Sequence, residues 1–172
     1  PATDLSQEEL DKLQAFLTED SSTGRHLIYM ASVHQSPLPL LEGWLAQWGI
    51  VVGQGAVAET NPNRVMSNNA YYGLANLVDT SLTGHMKSTS IPLILPLSRP
   101  LTLAFSSSMG YSTSTLMQYS ETAGIADENT TTLADIKVSG PIIVAARAFY
   151  GNSSILVYGS EYLVDASLLQ SA

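Results

Sequence analysis

Ser112 is the residue whose neighbours come closest to a hydrolase nucleophile, in the run Gly110-Tyr111-Ser112-Thr113-Ser114. The nucleophile of an α/β-hydrolase lies in Gly-x-Ser-x-Gly, at a sharp turn between a strand and a helix. Here Ser114 replaces the second glycine, and no convincing strand precedes the segment. The pattern therefore favours a surface serine in a Ser/Thr-rich segment over an acylating nucleophile.

The sequence also lacks the motifs of metal, thiol and nucleotide sites. It contains no cysteine, which excludes thiolate nucleophiles and cysteine-ligated metals. Neither a His-Glu-x-x-His zinc motif nor an EF-hand loop occurs, and Gly53-Gln54-Gly55 lacks the third glycine of a dinucleotide-binding loop. We therefore predict no catalytic residues, no metal and no cofactor, which describes a protein that is not an enzyme.

Polar residues follow the first and the last predicted strands, where an α/β sheet binds its ligands. Ser32, His34 and Gln35 come after the first strand, and Glu161 comes after the last one. In open α/β sheets, ligands bind at the carboxyl ends of the strands. We predict on this topology that the four residues contribute to a ligand-binding site.

Two aromatic pairs are further candidates for binding. Tyr71 and Tyr72 lie in the irregular stretch 61–87, where exposed rings could stack on a sugar or on a partner protein. We include both tyrosines among the predicted ligand-binding residues. Trp44 and Trp48 are four residues apart on a predicted helix, and this spacing favours core packing.

The charge balance excludes one class of partner. The chain carries 15 acidic and 7 basic residues, for a formal net charge of -8, and the basic residues do not cluster. Such a charge repels phosphate backbones and anionic lipid headgroups, so we predict no nucleic-acid partner. The longest apolar run, 91–97, is far shorter than the roughly 20 residues that cross a bilayer. The sequence leaves the oligomeric state open.

A length of 172 residues fits one domain. Ser6 and Glu9 form a capping box that predicts the start of the first helix. The predicted elements are a helix from residue 6, a strand at 26–31, a helix at 38–48, a helical turn at 72–78, a strand or helical turn at 111–119, a hairpin of 142–148 with 154–158, and a terminal helix at 161–169. Helices that alternate with apolar strands predict a single α/β domain over 1–172, with three layers and a mixed, mainly parallel sheet.

Several segments together resemble a known family. They are Asp4–Glu9, Leu41–Leu45, Trp48–Ile50, Ile91–Leu101 and Ser154–Leu163. In order, they look like the soluble domain of the gliding-motility-type auxiliary proteins of uncharacterised ABC transport systems. The resemblance implies a fold similar to flavodoxin and class I glutamine amidotransferases, without the catalytic residues and truncated at the N-terminus. It also implies a fragment of a larger membrane-tethered protein on the extracytoplasmic face of the bacterial cytoplasmic membrane.

Three functions compete at this point. The first is a non-catalytic binding or scaffolding module of an ABC-type transport system, whose partners are the permease and associated membrane subunits, a cell-envelope glycan or a transported protein. The second is a module that binds a glycan or a small molecule. The third, which the motifs favour least, is a serine hydrolase built on Ser112.

Overall fold

The computed structural model describes residues 3–19, 23–78, 93–127 and 130–164. In these ranges the chain forms two α-helices, α1 (Gln7–Thr18) and α2 (Pro39–Gln47). Short 3-10 helices span Pro62–Arg64, Leu133–Asp135 and Glu161–Val164. The strands are β1 (His26–Met30), β2 (Ile50–Val52), β3 (Ala56–Glu59), β4 (Leu74–Leu77), β5 (Leu93–Ile94), β6 (Leu101–Leu103), β7 (Ser107–Ser108), β8 (Tyr111–Gln118), β9 (Ala123–Ala126), β10 (Ile143–Tyr150) and β11 (Ser153–Tyr158).

Nine of these strands form one curled, mixed sheet. Its main order is β1-β11-β10-β8-β4-β5, while β6 pairs with β10 and β2, and β7 pairs with β8. Only β1 and β11 run parallel among the described pairs, and β3 and β9 form a separate antiparallel pair. The prediction of a three-layer, mainly parallel, flavodoxin-like α/β domain is therefore wrong, because the chain is mostly β.

The strand predicted at 26–31 is present, but its place in the sheet differs from that of a strand in a mainly parallel α/β sheet. β1 does occupy this segment, but among the described strands it pairs with β11 alone, at the edge of the sheet. Its Ile28 side chain is 57% exposed, whereas Tyr29 is buried. A short apolar run cannot by itself distinguish a strand covered on both faces from an edge strand. The apolar run 26–31 therefore fits an edge strand as well as a central parallel strand.

A second difference lies in the stretch predicted to be irregular. The helical turn predicted at 72–78 is instead strand β4, whose Asn76 and Leu77 pair with Gln118 and Met117 of β8. A strand of four residues with partners far along the chain leaves little local pattern, so tertiary pairing decided its conformation. Of the two alternatives for 111–119, a strand or a helical turn, the strand is present as β8, and the hairpin of β10 with β11 is confirmed.

Both helices pack on one face of the sheet. Leu10 and Leu17 of α1 and Leu41 and Leu45 of α2 are buried in one cluster with inward-facing residues of β10 and β11. The members from the two strands are Ala146, Ala148, Ile155 and Val157. Burial of each large apolar side chain stabilises the fold by roughly 1.5–3 kcal/mol. This cluster brings α1 and α2 together on the sheet.

The first turn of α2 is capped by a residue from the N-terminal segment. Leu38, at the N-cap position, has no side-chain cap. The Asp4 carboxylate instead accepts hydrogen bonds from the backbone amides of Leu40 (2.7 Å) and Leu41 (3.1 Å). Desolvation raises the pKa of Asp4, but the hydrogen bonds from Leu40, Leu41 and Leu5 outweigh it and hold the pKa below its ordinary value. The ionised carboxylate therefore stabilises the position of α2.

A buried carboxylate holds the end of β3. Glu59 is 1% exposed, and its two oxygens accept hydrogen bonds from Ser120 Oγ (2.6 Å), Thr122 Oγ1 (2.5 Å) and the Asn61 amide (3.0 Å). The Arg64 Nε atom lies 3.8 Å from Glu59 Oε2. A buried charge persists only where it is paired and hydrogen-bonded, and this one satisfies both conditions.

We expect the Glu59→Gln substitution to lower the free energy of unfolding by about 1–3 kcal/mol, because the amide nitrogen cannot accept the bond that one carboxylate oxygen accepts now. Urea unfolding followed by circular dichroism measures this. Glu8→Gln is the matched control, since Glu8 pairs with Lys12 on the surface and should change stability by less than about 1 kcal/mol. Equal stability of the two variants would show that the Glu59 network contributes nothing.

The Asp4→Asn substitution should remove a pH-dependent part of the stability. The folded pKa of Asp4 is lowered, so its contribution is complete above the unfolded value of 3.8 and is lost as the pH falls through the folded value. The variant should therefore have a lower Tm than the wild type at neutral pH, and this difference should disappear at about pH 2. Thermal unfolding at both pH values tests this. A difference in Tm that does not depend on pH would contradict it.

Candidate functional site

A groove lies between α1, α2 and the β7–β8 hairpin. Its volume is about 590 Å³, within the range of roughly 300–1,000 Å³ of sites that bind organic ligands or partner side chains. One wall is the α1 face formed by residues 7, 10, 11 and 14, which are spaced for one side of a helix. The opposite walls come from α2 and from the hairpin.

The capping box predicted at the start of α1 is confirmed. The Ser6 amide donates to Glu9 Oε2 (2.8 Å), and the Glu9 amide donates to Ser6 Oγ (3.4 Å). These reciprocal bonds fix where α1 begins and so which of its residues face the groove. Leu10 and Gln14 follow on that face.

The Gln14 side chain organises the floor of the groove. Its Oε1 atom accepts hydrogen bonds from Trp44 Nε1 and from Trp48 Nε1, both at 2.9 Å. Its Nε2 atom donates to the Tyr111 hydroxyl at 3.2 Å. The Trp48 and Tyr111 rings meet edge to face, with centroids 5.0 Å apart. One amide thus satisfies polar groups from α2 and β8, which leaves a rigid aromatic floor.

Two exposed apolar side chains stand at the rim. Leu40, in the first turn of α2, is 48% exposed, and Met109, at the tip of the hairpin, is 94% exposed. Met109 has a φ of +49° and Gly110 has a φ of +86°, which is the backbone of a two-residue type I′ turn. Glycine, asparagine and aspartate favour this conformation, whereas another residue held there costs of order 1–3 kcal/mol. The hairpin thus exposes the Met109 side chain to solvent, although methionine disfavours the backbone conformation that it adopts there.

Gly43 opens the wall formed by α2. Apart from its chain neighbours and the nearby backbone of α2, a methyl group added at this position would meet no described atom within 4 Å. Glycine inside a helix costs about 1 kcal/mol relative to alanine. Contacts within the described fold do not require a glycine here, so its effect is to make the groove wider and deeper.

The structure brings together four of the predicted ligand-binding residues. Ser32 Oγ donates to Glu161 Oε1 (2.6 Å), and the His34 amide donates to Ser32 Oγ (3.1 Å). The Tyr29 hydroxyl donates to Gln35 Oε1 (3.3 Å) in the same region, at the carboxyl ends of β1 and β11. Ser32 is itself buried. These bonds join residues of the chain to one another, and a ligand role for the four residues stays a prediction.

The two predicted tyrosines lie elsewhere. Tyr71 and Tyr72 precede β4, where both are half-buried, and Tyr71 packs against a small cluster that includes Ala58 and Ile136. The Tyr71 carbonyl accepts a hydrogen bond from the Leu97 amide (3.0 Å). Neither tyrosine lines the groove, and no contact places either ring beside Ser32 and Glu161 in the described part of the chain.

Sequence reasoning missed the groove because its elements were interpreted separately. The core packing predicted for Trp44 and Trp48 is confirmed, since both are buried, but the same rings also form the groove floor. Gln14, Gly43 and Met109 were not singled out. The available signals were a glutamine on the apolar face of α1, a glycine inside α2 and a methionine before Gly110 in a hairpin turn.

The described residues offer few groups for metal binding or for nucleophilic catalysis. There, no group of three or more histidine, aspartate or glutamate side chains could hold a metal ion. Ser112 lies inside β8 opposite Phe149, and not at a turn between a strand and a helix. No helix formed by the described residues is long and apolar enough to cross a membrane.

The Gln14→Leu substitution should lower the free energy of unfolding by about 1–3 kcal/mol, because two buried indole N–H groups lose their acceptor. Trp44 and Trp48 are the only tryptophans of the chain, so the same change should alter the intrinsic tryptophan emission. Gln7→Leu is the matched control, since Gln7 lies about two helical turns earlier on the same face of α1 and bonds only to exposed Asp11 in the described contacts. If both variants unfold at the same urea concentration, Gln14 is not the organising residue.

Comparison with known proteins finds a likeness in fold to a solved structure and does not support the family expected from the sequence. No family model and no curated protein matches the chain. Among solved structures, the chain is similar to the N-terminal domain of IFT52 (mmIFT52), with a TM-score of 0.66 and 14% identity over 99% of this chain and 67% of that one. IFT52 is an intraflagellar transport protein. The resemblance to auxiliary proteins of ABC transport systems is therefore wrong, and so are the transport function and the permease partners drawn from it. At this identity, the shared property is the fold.

Proposed function

We propose that this chain is a non-catalytic protein-binding module of an intraflagellar-transport-type assembly, and that its partner binds in the groove between α1, α2 and the β7–β8 hairpin. The likeness to the IFT52 N-terminal domain supports the type of assembly, because it extends over 99% of the chain. The groove supports the binding role.

The observation that carries this proposal is a preformed aromatic floor beneath an exposed apolar rim. The indole N–H groups of Trp44 and Trp48 are already bonded to Gln14. Water above such a floor finds few hydrogen-bonding groups, so an apolar side chain can displace it favourably. Buried aromatic rings in a fixed pocket are also the usual anchors of protein interfaces.

The lining of the groove does not favour catalysis. Among the described residues that line it, Asp11 is the one carboxylate, and no histidine, lysine or arginine is present. General acid–base catalysis needs a proton donor or acceptor positioned close to a second reacting group. A groove of aromatic, aliphatic and amide side chains is better suited to holding a partner than to changing it.

The backbone strain at Met109 is consistent with binding. Residues that break a local conformational rule cluster at functional sites, where the surrounding structure maintains them. The Met109 side chain gains little from the fold itself, since it is 94% exposed. A flexible, polarizable methionine at the rim of an apolar groove can adapt to the surface of a partner.

Gly43→Leu should block the groove and weaken partner binding by about tenfold or more, the effect expected of a change at the centre of an interface. The probes are purified subunits of an intraflagellar transport complex, titrated one at a time against the protein by isothermal calorimetry. The variant should fold, because leucine favours a helix by nearly 1 kcal/mol over glycine and the position is open. Its Tm, measured in parallel, checks this.

Glu8→Leu is the matched control, because it adds the same side chain to the exposed surface of α1 outside the groove. It should bind like the wild type. Two results would contradict the proposal. One is equal binding by the wild type and Gly43→Leu, and the other is a complete set of subunits of which none binds the wild type.

A further inference from the structure

We infer that the groove receives an amphipathic α-helix of the partner, which places its apolar face on the tryptophan floor and a lysine or arginine beside Asp11. This inference rests on the proposed function and specifies the element that binds. It follows from the hydrogen-bonding capacity of the groove, from its shape and from its charge.

The hydrogen-bonding capacity decides between a helix and an extended peptide. In the walls formed by α1 and α2, the backbone groups in the helix interiors bond within the helices. The Leu40 and Leu41 amides in the first turn of α2 bond to Asp4, and Gln14, Trp44, Trp48 and Tyr111 bond to one another. An extended peptide brings its own row of amide and carbonyl groups, and each one buried without a partner costs about 1–3 kcal/mol. A helix satisfies its own backbone, so it can bury its apolar face in this groove without that cost.

The shape of the α2 wall also fits a helix. Leu40, Gly43, Trp44 and Gln47 follow the spacing of one helix face and line the groove along its length. The open position at Gly43 lies between the apolar side chains of Leu40 and Trp44. A glycine in the middle of such a face allows another helix to approach closely, and leucine-sized side chains from it fill the remaining space.

The charge of the groove specifies the polar flank of that helix. Asp11 is exposed on the α1 wall, and Gln7 Nε2 donates to its Oδ1 atom at 2.9 Å. The nearby Lys12 is paired with Glu8 at 2.7 Å, and no ion pair joins Asp11 to any described residue. The chain as a whole carries a net charge of -8. A cationic residue on the helix therefore gains both a local partner and a favourable long-range field.

Synthetic peptides of three designs test the inference. The first is an acetylated and amidated helical peptide with leucines at i, i+3, i+4 and i+7 and lysines on the flank. The second is the same peptide with one central residue replaced by proline, and the third has glutamates in place of the lysines. Binding is followed by NMR through the indole N–H resonances of Trp44 and Trp48, which lie on the groove floor.

We expect the lysine helix to bind and to shift both indole resonances. The proline peptide should bind at least about tenfold more weakly, because proline breaks the helix. The glutamate helix should bind about threefold to tenfold more weakly in low salt, and Asp11→Asn should reduce this difference while Glu8→Gln leaves it unchanged. Gly43→Leu should abolish the indole shifts, whereas Glu8→Leu should retain them.

Three results would overturn the inference: no binding by the lysine helix, equal binding by the proline peptide, or equal binding of the lysine and glutamate helices. These results are separable from the test of the proposed function. If a transport subunit binds the wild type but not the Gly43→Leu variant, while the lysine helix does not bind the wild type, the proposed function is supported and the inference of a bound helix is wrong. If the lysine helix binds in the groove but no transport subunit does, the helix stands and the assembly is wrong.

Discussion

The hydrogen bonds of the Gln14 side chain are the constraint on which the groove depends. Apolar packing is not directional, so the cluster beneath α1 and α2 can bring the helices together without fixing their separation. The Gln14 oxygen has two lone pairs, which accept the indole N–H groups of Trp44 in α2 and of Trp48 at its C-cap. The amide nitrogen adds β8 through Tyr111. Three elements are thereby held at defined distances around one amide group.

The same N-terminal segment sets both helices. Ser6 and Glu9 start α1, and Asp4, two residues before Ser6, caps α2 through the amides of Leu40 and Leu41. The direction of α1 and the position of the first turn of α2 are therefore linked by a few residues of backbone. Because Leu40 lies in that turn, the exposed part of the groove rim is positioned by the carboxylate of Asp4. The residues that cap the two helices therefore also determine the shape of the groove.

Features with local causes could be predicted from the sequence. The capping box at Ser6 and Glu9 predicted α1, and the turn between β10 and β11 predicted their hairpin. The sheet order could not be predicted in this way, because β1 pairs with β11, whose residues lie 128 positions further along the chain. Short apolar segments are common to cores of many folds, which explains why the family resemblance failed. Ser32 and Glu161 were predicted to contribute to one ligand-binding site because both follow strand ends. They hydrogen-bond to each other because these strands are parallel neighbours, and the ligand role stays a prediction.

The groove itself required contacts that no local pattern records, since Gln14 meets Trp44, Trp48 and Tyr111 across 30, 34 and 97 positions. The hairpin that forms part of its rim is also held by contacts with the rest of the fold. The Thr113 amide bonds to the Ser106 carbonyl at 3.0 Å, and Tyr111 packs against Tyr150 with ring centroids 4.8 Å apart. These contacts hold the hairpin in place while Met109 keeps its left-handed backbone. The surface that a partner contacts is thus already ordered in the folded protein, so binding loses less conformational entropy. Preorganisation of this kind increases affinity without additional contact area.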